Sequence, residues 1–215
     1  KLVQDAAPGI GSTYFDQGVA KIGEFNCFSF QGAKLLVSGE GGVLTTNDAD
    51  LYAKAFKIGD SGRRPGTFWI ELLGKKMKMS NVTASLALAQ LQSAERQIAK
   101  KRRIRDWYVE ELSEIEGVTF QQELPNSRSI CWMTSIQIER EKFDREKFRS
   151  ELLKLGVESR PVFSPISRYP IWGKELEPKP NAVKIGDNSI NLPSGVALSR
   201  STVAKVSDAV RRVLL

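Results

Sequence analysis

The chain has 215 residues, 41% of them apolar, and a formal net charge of +7. That is enough apolar content for a real core, yet no run approaches the roughly 18 apolar residues of a membrane span. There is no histidine, which excludes Ser-His and Cys-His nucleophile schemes and leaves proton transfer to Lys, Asp, Glu, Tyr or Cys.

Residues 1–4 read as the end of a buried parallel strand, with Asp5 at its C-terminal tip, the place where open α/β sheets bind ligands. The sequence begins within this strand and nothing resembles a signal peptide, so it reads as the C-terminal part of a longer enzyme. Ala6, Ala7, Pro8, Gly9 and Gly11 form a tight turn. Gly9-Ile10-Gly11 lacks the third glycine and the following helix of a dinucleotide fingerprint. Residues 24–30 and 42–46 read as strands. Between them Lys34 has apolar neighbours on both sides and a Gly-rich loop, Gly39-Glu40-Gly41-Gly42, just after it. A lysine is ordinarily a surface residue. A buried one loses proton affinity and becomes an amine nucleophile.

Thr46-Asn47-Asp48 caps a helix over 49–58, and the glycines, proline and arginines of 59–66 make a loop. Ser80 or Asn81 caps a long, bent helix whose apolar positions run from Val82 to Ile115 and which stops at Gly117. Lys100-Lys101-Arg102-Arg103-Ile104-Arg105 falls inside it and reads as a solvated helix face. No aromatic platform for single strands accompanies it, so no nucleic-acid partner is expected. The remainder alternates: strands at 118–120 and 131–138, a helix over 143–155 ended by Gly156, a strand at 157–160, a proline-rich loop over 161–180, a strand at 189–192, and a closing helix over 201–214 capped by Ser199 or Ser201. That is a split α+β domain. Cys27 and Cys131 lie in apolar strand-like runs and read as two buried thiols, which fits a reducing cytoplasm. Without histidine they make no ordinary zinc site, and no metal is expected.

Asp5-Ala6-Ala7, Gly11-Ser12-Thr13-Tyr14, Phe28-Ser29-Phe30-Gln31-Gly32-Ala33-Lys34 and Gly39-Glu40-Gly41-Gly42 together resemble the DegT/StrS sugar aminotransferases, fold-type-I enzymes dependent on pyridoxal 5'-phosphate (PLP). The resemblance continues through Leu73-Gly74, Met79-Ser80-Asn81, Leu88-Ala89-Gln90-Leu91, Ser159-Arg160-Pro161 and Ile190-Asn191-Leu192-Pro193-Ser194-Gly195. It implies an α/β fold, the C-terminal part of a fold-type-I PLP transferase: a partial α/β/α PLP-binding large domain over 1–80, a connecting helix over 81–116, and a small α+β domain over 117–215.

The resemblance also implies roles. Lys34 would be the catalytic Schiff-base lysine and proton shuttle, and Asp5 would keep the pyridine nitrogen protonated. Ser29 would donate to the cofactor phosphate. Pro8 stands where many members carry Gln or His near the cofactor ring. Lys76 stands where an asparagine usually reaches the phosphate of the partner subunit's cofactor, and a lysine there acts as a point charge or the contact is lost. Arg160 is placed for the nucleotide diphosphate or sugar, or in a surface ion pair, and Gln31 for substrate lining or solvent. The stretch from Ser159 to Ser167, followed by Tyr169-Pro170, is similar to members that aminate C4 of a nucleotide-linked 4-keto-6-deoxysugar, perosamine synthases in particular. Glutamate is the amino donor in that group, and its members are homodimers that share the active site. A PLP-dependent deoxysugar dehydratase and a non-catalytic relative are the alternatives. Lys34 argues against the first, because the best-known dehydratases carry histidine there.

Overall fold

In the computed structural model, which describes residues 1–172 and 176–215, the opening apolar run forms β1 (Val3–Asp5). A hairpin of β2 (Thr13–Tyr14) and β3 (Gln17–Gly18) follows, turned by Phe15 and Asp16 at φ 47° and 59°. The aromatic run forms β4 (Phe25–Ser29) and the run after the glycines forms β5 (Gly42–Thr45). β4 is the middle strand: it pairs parallel with β1, Asp5 opposite Cys27, and antiparallel with β5, Ser29 opposite Gly42.

α1 (Ala49–Gly59) starts where Asp48 accepts the N–H groups of Asp50 and Leu51, both at 2.9 Å. The stretch expected to be one long helix is two, α2 (Asn81–Gln92) and α3 (Ala94–Leu112). Ser80 caps the first by accepting the N–H of Thr83. The break falls at Ser93, whose hydroxyl donates back to the Gln90 carbonyl and accepts from the Gln97 amide. A serine bonding to the preceding turn competes with the helical ladder.

The described residues divide into two compact units, Lys1–Ile98 with Leu124–Ile130, and Ala99–Glu123 with Cys131–Leu215. The first contains β1 to β5, α1 and α2, and a small core of Phe30, Leu36 and Ala87. The second holds β6 (Val118–Phe120). The next strand, β7 (Ser127–Arg128), belongs to the first unit and pairs with β2. The strand expected over 131–138 is shorter, β8 (Thr134–Ile138), because Cys131 sits in the left-handed region at φ 52°.

α4 (Arg145–Lys154) is capped by Asp144, and β9 is only Arg160–Pro161. The expected loop over 161–180 contains two 3-10 turns, Ile166–Arg168 and Pro170–Trp172, while 173–175 lie outside the described residues. At its end comes a helix the sequence pattern did not reveal, α5 (Pro180–Asn188), then β10 (Ser189–Leu192) and α6 (Arg200–Leu214), capped by Ser199. The four strands of this unit are antiparallel in the order β6-β8-β10-β9. Alternation along β8 sends Thr134, Ile136 and Ile138 inward, against Tyr108 and Leu112 of α3, Leu152 of α4 and Val203 and Val210 of α6. Pro161 has no N–H to give the ladder, and the Asn191 amide instead donates to its carbonyl at 3.2 Å.

The basic run of α3 is not a solvated face. Lys101 is 6% exposed, and its ammonium donates to the carbonyl (2.6 Å) and hydroxyl (3.1 Å) of Ser194. Arg102 makes a bidentate pair with Glu123, Arg105 pairs with Asp106, and Lys100 lies 4.7 Å from the centre of the Trp107 ring. Burial lowers the Lys101 pKa to about 8, partly opposed by the charge of Cys131. Between that value and the ordinary 10.5, the unfolded chain holds the proton and the folded one does not. Stability therefore rises with pH across this window, by about 3 kcal/mol from this residue. Lys101→Met is expected to flatten that rise, read as unfolding midpoints of the full-length protein at pH 7.5 to 10.5.

Candidate active site

The C-terminal ends of β1 and β4 lie side by side, and the site residues of the first unit gather there. Because partners in a ladder share a face and alternate residues do too, Asp5, Cys27 and Ser29 stand on one face of the sheet. Cys27 was expected in the core; it is half-buried and sits between the two polar groups. Its i, i+2 spacing from Ser29 is visible in the sequence, but its place beside Asp5 depends on the pairing register. Ser29 faces Gly42 on the other neighbour, so no side chain crowds it from that strand.

Asp5 is exposed, and its Oδ1 accepts the N–H of Ala7 at 3.0 Å. This is the local turn that aspartate favours. Among the described residues Oδ2 has no partner. The turn continues through Pro8, which is exposed, and is closed by the Gly9 N–H donating to the Ala6 carbonyl.

The loop of Lys34 leaves from the end of β4. Its base is Phe30, which donates to the Gly41 carbonyl and accepts from the Ser38 N–H, both at 2.9 Å. Gly41 has φ 108°, and a Cβ there would meet Met79 Cε at 2.5 Å, so the bend requires glycine. Lys34 is half-buried, and its N–H donates to the Gln31 carbonyl at 2.9 Å. Gln31 Oε1 accepts the Ala33 N–H at 2.8 Å, and Ser29 Oγ accepts the Gln31 N–H at 3.2 Å.

Lys76 is exposed and lies opposite Asp60 in a backbone bridge, its ammonium 3.6 Å from that carboxylate. Lys78 is closer, at 2.8 Å, and its hydrogen bond is the main reason that the Asp60 carboxyl is held below its ordinary pKa. Arg160 belongs to the second unit, exposed on edge strand β9 opposite Asn191, and among the described residues it makes no ion pair. Nearby in sequence, Arg168 is bidentate to Asp187.

The fold is that of a sugar-modifying aminotransferase. The solved aminotransferase TlmJ from Streptoalloteichus hindustanus superposes with a TM-score of 0.90 at 26% identity, covering 99% of this chain and 58% of its own. PseC of Helicobacter pylori, an aminotransferase involved in the biosynthesis of pseudoaminic acid, gives 0.91 at 22% identity, over 98% of this chain and 58% of its own. Residues 1–211 match the family described as DegT/DnrJ/EryC1/StrS aminotransferases, and the chain belongs to that family. The GDP-perosamine synthase of Escherichia coli O157:H7 is 32% identical over 97% of this chain, which spans 57% of that relative's length. Solved structures with this fold include PLP and pyridoxamine phosphate forms.

Proposed function

We propose that this chain supplies the lysine-bearing part of a PLP-dependent aminotransferase acting on a nucleotide-linked keto-deoxysugar, with glutamate as amino donor. The observation that supports it is Asp5 and Ser29 on one face at the C-terminal ends of parallel strands, with the Lys34 loop leaving from that end. The donor set fits the cofactor. Asp5 has an open carboxylate oxygen for a pyridine nitrogen, Ser29 has a hydroxyl proton without an acceptor among the described residues, and Lys34 offers a half-buried amine.

PLP, when bound, supplies the electron sink that stabilises a carbanion. Asp5 would keep the ring nitrogen protonated, since an adjacent opposite charge favours the charged form. Ser29 Oγ would donate to the phosphate, and Pro8 would border the ring. Lys34 Nζ would move the proton between the donor's α-carbon and the cofactor carbon, a role that this histidine-free chain must give to another residue type.

In this reading residues 1–80 belong to the cofactor domain, 81–116 to a connecting helical segment and 117–215 to the small domain, where Arg160, without an ion pair among the described residues, is a cation for diphosphate or sugar. The active unit is a cytoplasmic homodimer with shared sites. The exposed Phe68 (88%), Trp69 and Leu73 (96%) support a covering partner, being far more apolar surface than one loop leaves in water. Lys76, beside Asp60, keeps a charge for the neighbouring phosphate. Among the described residues no helix is long and apolar enough to cross a membrane.

The test is to load the full-length protein with PLP, reduce it with borohydride and map the peptides. The cofactor mass is expected on the peptide containing Lys34, and glutamate added before reduction is expected to prevent it. An adduct elsewhere, or none, overturns the site. An adduct at Lys34 that ignores glutamate overturns the transaminase and favours the dehydratase.

A further inference from the structure

We infer that Gln31 is a positioning residue for Lys34, its side-chain carbonyl shaping the turn that presents the amine, in place of the substrate contact its sequence position suggested. The inference rests on the reading of Lys34 given above.

Successive bonds run through this one residue. Ser29 Oγ accepts its N–H (3.2 Å), its Oε1 accepts the N–H of Ala33 (2.8 Å), and its backbone carbonyl accepts the N–H of Lys34 (2.9 Å). Outside this turn the loop is held by packing and backbone bonds. Phe30 and Leu36 are each 1% exposed in the small core with Ala87, and Gly32 donates to the Gly39 carbonyl at 3.1 Å. Those anchors fix where the loop begins and returns. Within the turn, the Gln31 side chain holds the Gly32–Ala33 peptide by its N–H, and the backbone carbonyl of the same residue holds the next N–H, that of Lys34. An Oε1 turned back onto its own loop has one of its two lone pairs committed there. Alanine removes it, while glutamate keeps an oxygen at the same reach.

The test compares Gln31→Ala and Gln31→Glu with the parent in the full-length protein. Amide hydrogen exchange at Ala33 is expected to be about fivefold faster in Gln31→Ala and unchanged in Gln31→Glu, the factor that one net hydrogen bond is worth. In the PLP-loaded protein, the pH midpoint of the visible absorption is expected to move by about half a pH unit in Gln31→Ala, because the amine no longer sits as before. Parental exchange and midpoint in Gln31→Ala, with only the KM for the sugar raised, overturn the inference and restore a substrate contact. If the parent takes up no PLP, the Lys34 reading fails by itself, and the exchange rates support or overturn the Gln31 turn on their own.

Discussion

Lys34→Ala, made in the full-length protein, is expected to lose aminotransferase activity by at least about 10³-fold, because nucleophile and proton shuttle go together. Asp5 and Ser29 remain in that variant. PLP should therefore still be retained, but without the visible band and without fixation by borohydride. That dissociation of binding from attachment separates a lost amine from a lost fold. Lys34→Arg keeps the charge yet should not rescue, since a guanidinium stays protonated throughout the accessible pH range. Activity within about tenfold of the parent in Lys34→Ala would place the shuttle elsewhere, because general acid–base groups contribute more than that.

The largest effect on stability is expected from Ile136→Ala. Ile136 is fully buried in the middle of β8, between Phe120 of β6 and Ile190 of β10. Its neighbours come from two strands and from helices on the same face, so the site cannot collapse around a smaller side chain. Truncation should cost about 2–5 kcal/mol and Ile136→Val about 0.5–1.5 kcal/mol. Urea unfolding followed by tryptophan fluorescence should show the midpoint falling in that order with an unchanged slope. A loss under about 1 kcal/mol for the alanine would mean that this core is not packed as described.

Much of this arrangement was legible before any coordinates. Asp48, Ser80 and Ser199 cap helices where polar residues precede apolar periodicity, and β8 alternates as its sequence does. What escaped had no local signal. The two-residue strands β2, β3 and β7 exist by pairing and carry no period of their own. α5 was hidden in a proline-rich stretch: its proline is at the first helical position, its N-cap Lys179 makes no side-chain cap, and Gly186 interrupts its apolar face. That glycine has a packing reason, since a Cβ would fall 2.8 Å from Pro165 Cδ. The basic run of α3 misled because charge says nothing of direction; Lys101 reaches a carbonyl far along the chain.

At the site the same division holds. Motif order and spacing singled out Asp5, Ser29 and Lys34, whereas the face shared by Cys27 is a product of register and the bond of the Gln31 side chain onto its own loop is a product of side-chain geometry. Neither is written in a local pattern.

The short outer strand Arg160–Pro161 has a consequence for behaviour in crowded solution. Its two residues leave almost no ladder for a second chain to extend, one lacks an amide hydrogen, and the other carries a charge. This side of the sheet is thus guarded against runaway stacking into fibrils, and the charge that guards it is that of Arg160.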